Sequence, residues 1–328
     1  SVPANLVSGT TSTVNTNGLN ATLSGALSGA GGLAKSGSGT LTLPNANTYS
    51  GGTTVNAGTL LLGNNASLGA TSGSLLLNGG TLDLGTFSPT VGTATFNGGT
   101  FTNGTLNNAS AFEVQAGSLS VVLGGSSSLT KTGSGTFTLS GANTYTGSAT
   151  INAGTLSVAA DSALGTAPGS PSAGHLALDG GTLGTTATFT LNANRGISIG
   201  SAGGTIDTAS STELTYNGII AGSNALTKSG SGTLILNGAN TFSGITSIAG
   251  GTITLGQSET LQGSTIATVG GLSFGNLTTA SLGGLSGSGS RALTNNSSSA
   301  VTLTVGQNND STNFSGVLSG AGSLIKAG

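Results

Sequence analysis

Neither cysteine nor methionine occurs among these 328 residues. Without cysteine there is no disulfide framework and no thiolate metal site, so the fold must hold by packing and backbone pairing alone. That suits a chain exported across a bacterial envelope in the unfolded state. Methionine is missing even at position 1, and "SVPANL" reads as a processed start from which a signal peptide has been removed. Charge is the third scarcity: 4% of residues are Asp, Glu, Lys or Arg, with a net charge of −2. A balance so near zero offers no electrostatic footprint for nucleic acid and no basic patch for a membrane surface. No apolar run reaches the ~20 residues of a membrane helix.

Glycine fills 61 positions and hydrophobic residues 35%, with a mean hydropathy of +0.23. Disordered chains combine low hydrophobicity with high net charge, and this chain has neither. Something apolar is buried at regular intervals. The interval is visible directly: "GSGTLTLPNANTYSGGTTVNAGTL" (37–60) returns as "GSGTFTLSGANTYTGSATINAGTL" (133–156) and "GSGTLILNGANTFSGITSIAGGTI" (230–253). Ahead of these copies, and once more near residue 326, stand "LSGALSGAGGLAK", "LSVVLGGSSSLTK", "YNGIIAGSNALTK" and "FSGVLSGAGSLIK". Their lysines, Lys35, Lys131, Lys228 and Lys326, are 96, 97 and 98 residues apart. The super-repeat units run approximately 23–119, 120–216 and 217–313, with a partial unit 314–328, inside one expected solenoid domain 1–328.

A finer period of about 18 to 23 residues is marked by Gly, then Thr or Ser, then an apolar residue, as at Gly39, Gly58, Gly80, Gly99, Gly135, Gly154, Gly232 and Gly251. Around each marker Thr alternates with Leu, Ile or Phe, the period of a strand with one buried face. Asn, Gly and Ser punctuate between the strands as turn chemistry requires. The pattern predicts an all-β parallel β-solenoid (β-helix) of roughly 15 to 17 coils, a rod of about 70 to 80 Å at ~4.8 Å per coil. Glycine would take the positive φ of the corners, and outward Thr would form hydroxyl ladders.

The three copies at 37–60, 133–156 and 230–253 resemble the autotransporter-associated β-strand repeat of Gram-negative surface proteins. The "SGAGGLAK" segments and "LDGGTLGTTATFTLNANRGISIGSAGGTIDT" (178–208) are similar to the spacers of such arrays. This resemblance implies a right-handed parallel β-helix, exported through the outer membrane and displayed at or released from the cell surface. It further implies an adhesin, an aggregation factor or a stalk. The sequence departs from the family pattern in showing neither a C-terminal translocator barrel nor an inserted effector domain.

Candidate chemistry is sparse. A polysaccharide-active enzyme on such a scaffold needs two facing carboxylates. The acids are Asp83, Glu113, Asp161, Asp179, Asp207, Glu213, Glu259 and Asp310. Asp83 and Asp207 share a place in the repeat but lie six markers apart, roughly 29 Å at one coil per ~4.8 Å. They are expected to be solvated turn or edge residues. His175, the one histidine, has Asp179 four residues on as its candidate orienter, and is expected at the surface. No zinc set or calcium turn is present. The lysines, about five coils apart, read as separate solvated charges. Tyr49, Tyr145 and Phe242 are expected to pack on an Asn-Gly turn rather than on sugar rings. No catalytic, cofactor or metal residue is assigned.

Three functions follow in order. The first is a non-catalytic extracellular structural or adhesive passenger stalk. The second, suggested by a start and a stop at nearly one phase of the repeat, is a filament subunit that stacks head to tail. The polysaccharide-active enzyme comes last. Expected partners are a second copy, end to end or laterally, matrix polysaccharide, or a host surface, with no nucleic acid and no membrane insertion.

Overall fold

In a strand that alternates Thr with Leu, every Leu faces one way, and stacked copies of the strand place Leu on Leu. The computed structural model, which describes residues 3–268 and 270–328, builds the chain on this rule. It has no α-helix among the described residues, only a single 3-10 turn at Asp161–Leu164, and all the strand pairings between its coils are parallel. The chain forms two compact units, Ser1–Ala149 with Ser162–Thr166, and Thr150–Asp161 with Ala167–Gly328.

In the first unit the longest sheet counts seven strands, from Ala21–Thr22 to Thr136–Leu139, one per coil. Its inward rows are apolar: Leu41 pairs with Leu60, Leu60 with Leu82, Leu82 with Phe101, and Phe101 with Leu119, all essentially sealed from water. Phe96 meets Phe101 edge-on at 4.8 Å and stacks with Phe112 at 6.4 Å and with Phe137 at 6.2 Å. In the second unit the longest sheet counts nine strands, from Thr155–Val158 to Ser323–Lys326. A second apolar column, Leu214, Leu234, Ile253 and Leu272, lines a neighbouring face. The two units thus hold seven and nine coils, sixteen in all, inside the range that the sequence predicts.

The outward rows are in register as well, Thr40 beside Thr59, Thr59 beside Thr81, and Thr81 beside Thr100. No hydrogen bond between side chains joins these hydroxyls among the described residues. Asparagine makes that ladder instead: Asn78 Nδ2 donates to Asn56 Oδ1 and Asn97 Nδ2 to Asn78 Oδ1, each at 2.9 Å. Hydroxyls do bridge neighbouring coils elsewhere, Ser323 Oγ donating to the in-register Thr302 Oγ1 at 3.0 Å, but a carboxamide carries donor and acceptor on a longer arm and can continue the ladder in both directions.

Candidate functional site

The recurring polar residues define the first candidate site, and the lysines overturn the expectation of solvated charges. Lys35, Lys131 and Lys228 are each 0% exposed. The cause is register. Lys35 stacks between Val14 and Val55, Lys131 on Val114, and Lys228 between Ile206 and Ile248, so each aliphatic stem lies in an apolar column. Each ammonium is met by backbone carbonyls. Lys35 Nζ donates to Ser36 O (2.8 Å), Gly37 O (2.7 Å) and Ala57 O (3.0 Å). Lys228 Nζ donates to Ser229 O, Gly230 O (2.9 Å) and Gly250 O (3.2 Å). Lys131 Nζ likewise donates to Thr132 O (2.6 Å) and Gly133 O (2.8 Å). Ala57 and Gly250 belong to the next coil, so the ammonium ties one coil to its neighbour. Burial pushes all three lysines below their ordinary value, Lys228 to about 8 with Asp207 acting against the shift. Lys326 makes the same two local bonds, to Ala327 O and Gly328 O, but is exposed.

Asparagine supplies the second tie. Asn47 Oδ1 accepts from the Leu27 amide at 2.8 Å, while its Nδ2 donates to Ser67 O at 2.7 Å. Asn143 repeats this with Leu123 N and Ala163 O, and Asn240 with Ile220 N and Thr260 O. Each of the three buried carboxamides thus joins the coil before it to the coil after it. Tyr49, Tyr145 and Phe242, two residues further on, are at most 1% exposed and present no ring to a ligand. Tyr49 OH bonds Thr53 Oγ1 at 2.6 Å, and burial pushes its pKa up to about 12.

The carboxylates are not gathered into a reactive group. Asp83 Oδ1 accepts from Gly85 N (2.9 Å) and Asn103 Nδ2 (2.7 Å), closing a turn. Glu113 takes Thr132 Oγ1 at 3.0 Å, and Asp207 takes Ser229 Oγ at 2.7 Å beside the Lys228 clamp. Asp310 accepts from Asn308 Nδ2 (2.7 Å) and Thr265 Oγ1 (3.0 Å), and Glu213 and Glu259 stand exposed. Asp161 departs from the solvated expectation: it forms an ion pair with the buried Arg195, Nε to Oδ1 at 2.9 Å. His175 also departs, being only 8% exposed, because its strand Ser172–Leu178 bulges there. Asp179, its candidate orienter, spends its carboxylate on Ala202 N (2.8 Å) and Ser201 Oγ (3.5 Å). No cluster of three or more His, Cys, Asp or Glu able to hold a metal occurs among the described residues.

Sequence reasoning missed the clamps, yet a signal was there. Leu33, Leu129 and Leu226 each precede a lysine by two residues, and period-2 alternation puts both on the inward face.

The passenger-associated-transport-repeat model matches residues 33–62, 129–158 and 226–255, each of which contains one clamp lysine, one bridging asparagine and the buried ring two residues after it. The chain is also similar to the adhesin BmaC autotransporter of Brucella suis biovar 1 (strain 1330), 35% identical over 333 residues. That alignment covers 95% of this chain and 9% of the relative. No solved structure matches the chain. The clamped and bridged coils at 33–62, 129–158 and 226–255 are passenger-associated-transport-repeats, of the autotransporter-passenger kind that the sequence motifs resemble.

Proposed function

We propose that the chain serves as a non-catalytic stretch of an exported, cell-surface autotransporter passenger, a stalk with an adhesive surface. The observation that carries this reading is where the repeated polar residues are spent. Lysine and asparagine recur because they tie coil to coil through buried backbone groups, so what the repeat preserves is cohesion. A reactive centre would instead need groups with free valence converging on one point. The similarity to an autotransporter adhesin supports display outside the cell.

The outward Thr, Ser and Asn rows are neutral, which favours neutral partners: matrix polysaccharide, a host surface, or the flank of a second copy. The test is surface labelling. Antibody raised against this chain labels intact cells of the producing bacterium, and beads coated with the purified chain adhere to matrix or host-cell layers. Labelling only after permeabilisation, or beads that adhere no better than albumin-coated ones, contradicts the proposal.

A further inference from the structure

In a repeat array the repeated residues are committed to stacking, and recognition falls to what departs from the repeat. The largest departure follows the second passenger repeat. The coil between the in-register Thr155 and Thr182 takes 27 residues, against 22 between Thr59 and Thr81. The added length carries Pro168 and Pro171 and is pinned at several points. Asn194 Nδ2 donates to Pro168 O at 2.9 Å, and Asp161 Oδ1 accepts from both Arg195 Nε and Asn192 N at 2.9 Å. Strand Ser172–Leu178 then bulges: Ser172 pairs with Arg195 and Leu176 with Ile197, so residues 173–175 face Gly196 alone, with Gly174 at φ 69°. Bulges of this kind re-aim side chains beside binding sites.

Against this bulge lies a groove of about 500 Å³, running along the solenoid axis from Ser172 past Gly196 and Ile219 to Thr241. It crosses four coils, roughly 14 Å at ~4.8 Å per coil. Gly196 leaves its floor without a side chain, Pro171 flanks it, and Ile219, 50% exposed, stands in it. Ser172, Asn217 and Thr241 supply its polar lining; among the described residues no hydrogen bond engages Ser172 Oγ, Thr241 Oγ1 or Asn217 Nδ2, while Asn217 Oδ1 accepts from Asn237 Nδ2 at 2.6 Å.

We propose that this groove binds an extended, uncharged peptide segment of a partner protein and buries one of its aliphatic side chains against Ile219 and Pro171. The inference rests on the adhesive reading above. Charge complementarity selects the occupant: no charged side chain lines the groove, and Arg195, next in sequence to Gly196, is paired with Asp161. No aromatic ring lines it to stack a sugar. The polar side chains of Ser172, Asn217 and Thr241 along the groove suit the amides of an extended backbone, whereas an acyl chain would leave them unpaired.

Methyl NMR of the chain labelled at isoleucine, titrated separately with acetyl-Pro-Leu-Pro-Val-amide, sodium octanoate and cellotetraose, tests the proposal. The peptide is expected to shift the Ile219 and Ile197 methyls saturably and to leave Ile253 unmoved. Ile219→Asp, a change at an exposed position, weakens that response at least tenfold, and Asn217→Ala weakens it severalfold with the floor intact. Octanoate or cellotetraose moving those methyls in place of the peptide overturns it, and so does the absence of any saturable shift. Surface labelling of intact cells with the Ile219→Asp chain reads the passenger assignment separately, so failure of the groove and failure of that assignment give different results.

Discussion

A lysine in a chain with so few charges invites the reading of a solubility device, and the structure gives it the opposite role. Lys228 keeps its charge out of water because carbonyls of its own turn and of the next coil surround the ammonium. The folded value of about 8 against an ordinary 10.5 sets a sign. Between those values the unfolded chain holds more protons than the folded one, so this group's contribution to stability rises as pH climbs through the window. The urea midpoint of the parent chain should therefore gain on that of Lys228→Met from about pH 7.5 to about pH 9.5, below the range in which Tyr49 and Tyr216 titrate. A parent midpoint that falls relative to the variant contradicts the assignment.

The asparagines make a second prediction at this scale. Asn240→Ala orphans the buried Ile220 amide and the Thr260 carbonyl, and should cost about 2 to 4 kcal/mol in denaturant unfolding. Asn237→Ala, which removes a bond exposed to solvent, should cost less than about 0.5 kcal/mol. Equal costs would mean that the bridge carries no special weight.

At the scale of the element, the coil corners decide. Gly251 has φ 64°, and a methyl there would overlap the carbonyl of Gly232, on the coil that holds Lys228. Gly251→Ala combines left-handed strain with a displaced corner and should cost roughly 2 kcal/mol or more. Gly270→Ala meets nothing within 4 Å and should leave the unfolding midpoint unchanged. Elements of this kind were legible in advance because "GTLTL", "GTFTL" and "GTITL" state strand, face and corner within five residues. The clamp was less legible, since its third acceptor is a backbone carbonyl about twenty residues on and carries no side-chain signature. The groove was not legible at all: it depends on a bulge and on the pinning of Pro168, which exist only once coils are stacked.

At the scale of the whole molecule, cohesion is distributed rather than concentrated. Each passenger repeat carries its own lysine, asparagine and buried ring, and within each unit apolar columns run from coil to coil, so each coil is stabilised mainly by its neighbours. The coil number and the apolar columns follow from the spacing of glycine and leucine in the sequence. The interior position of the cations follows from extending the same alternation two residues beyond Leu33, Leu129 and Leu226. The account thus makes one claim that reads all three repeats together: Lys35, Lys131 and Lys228 are interior ties and not surface charges.

Acetylation of the native chain with a water-soluble amine reagent, followed by mass spectrometry of its peptides, measures this directly. The account predicts rapid modification of Lys326 and protection of Lys35, Lys131 and Lys228 by at least about a hundredfold, lifted only when the coils open. Equal rates at all four lysines would contradict it.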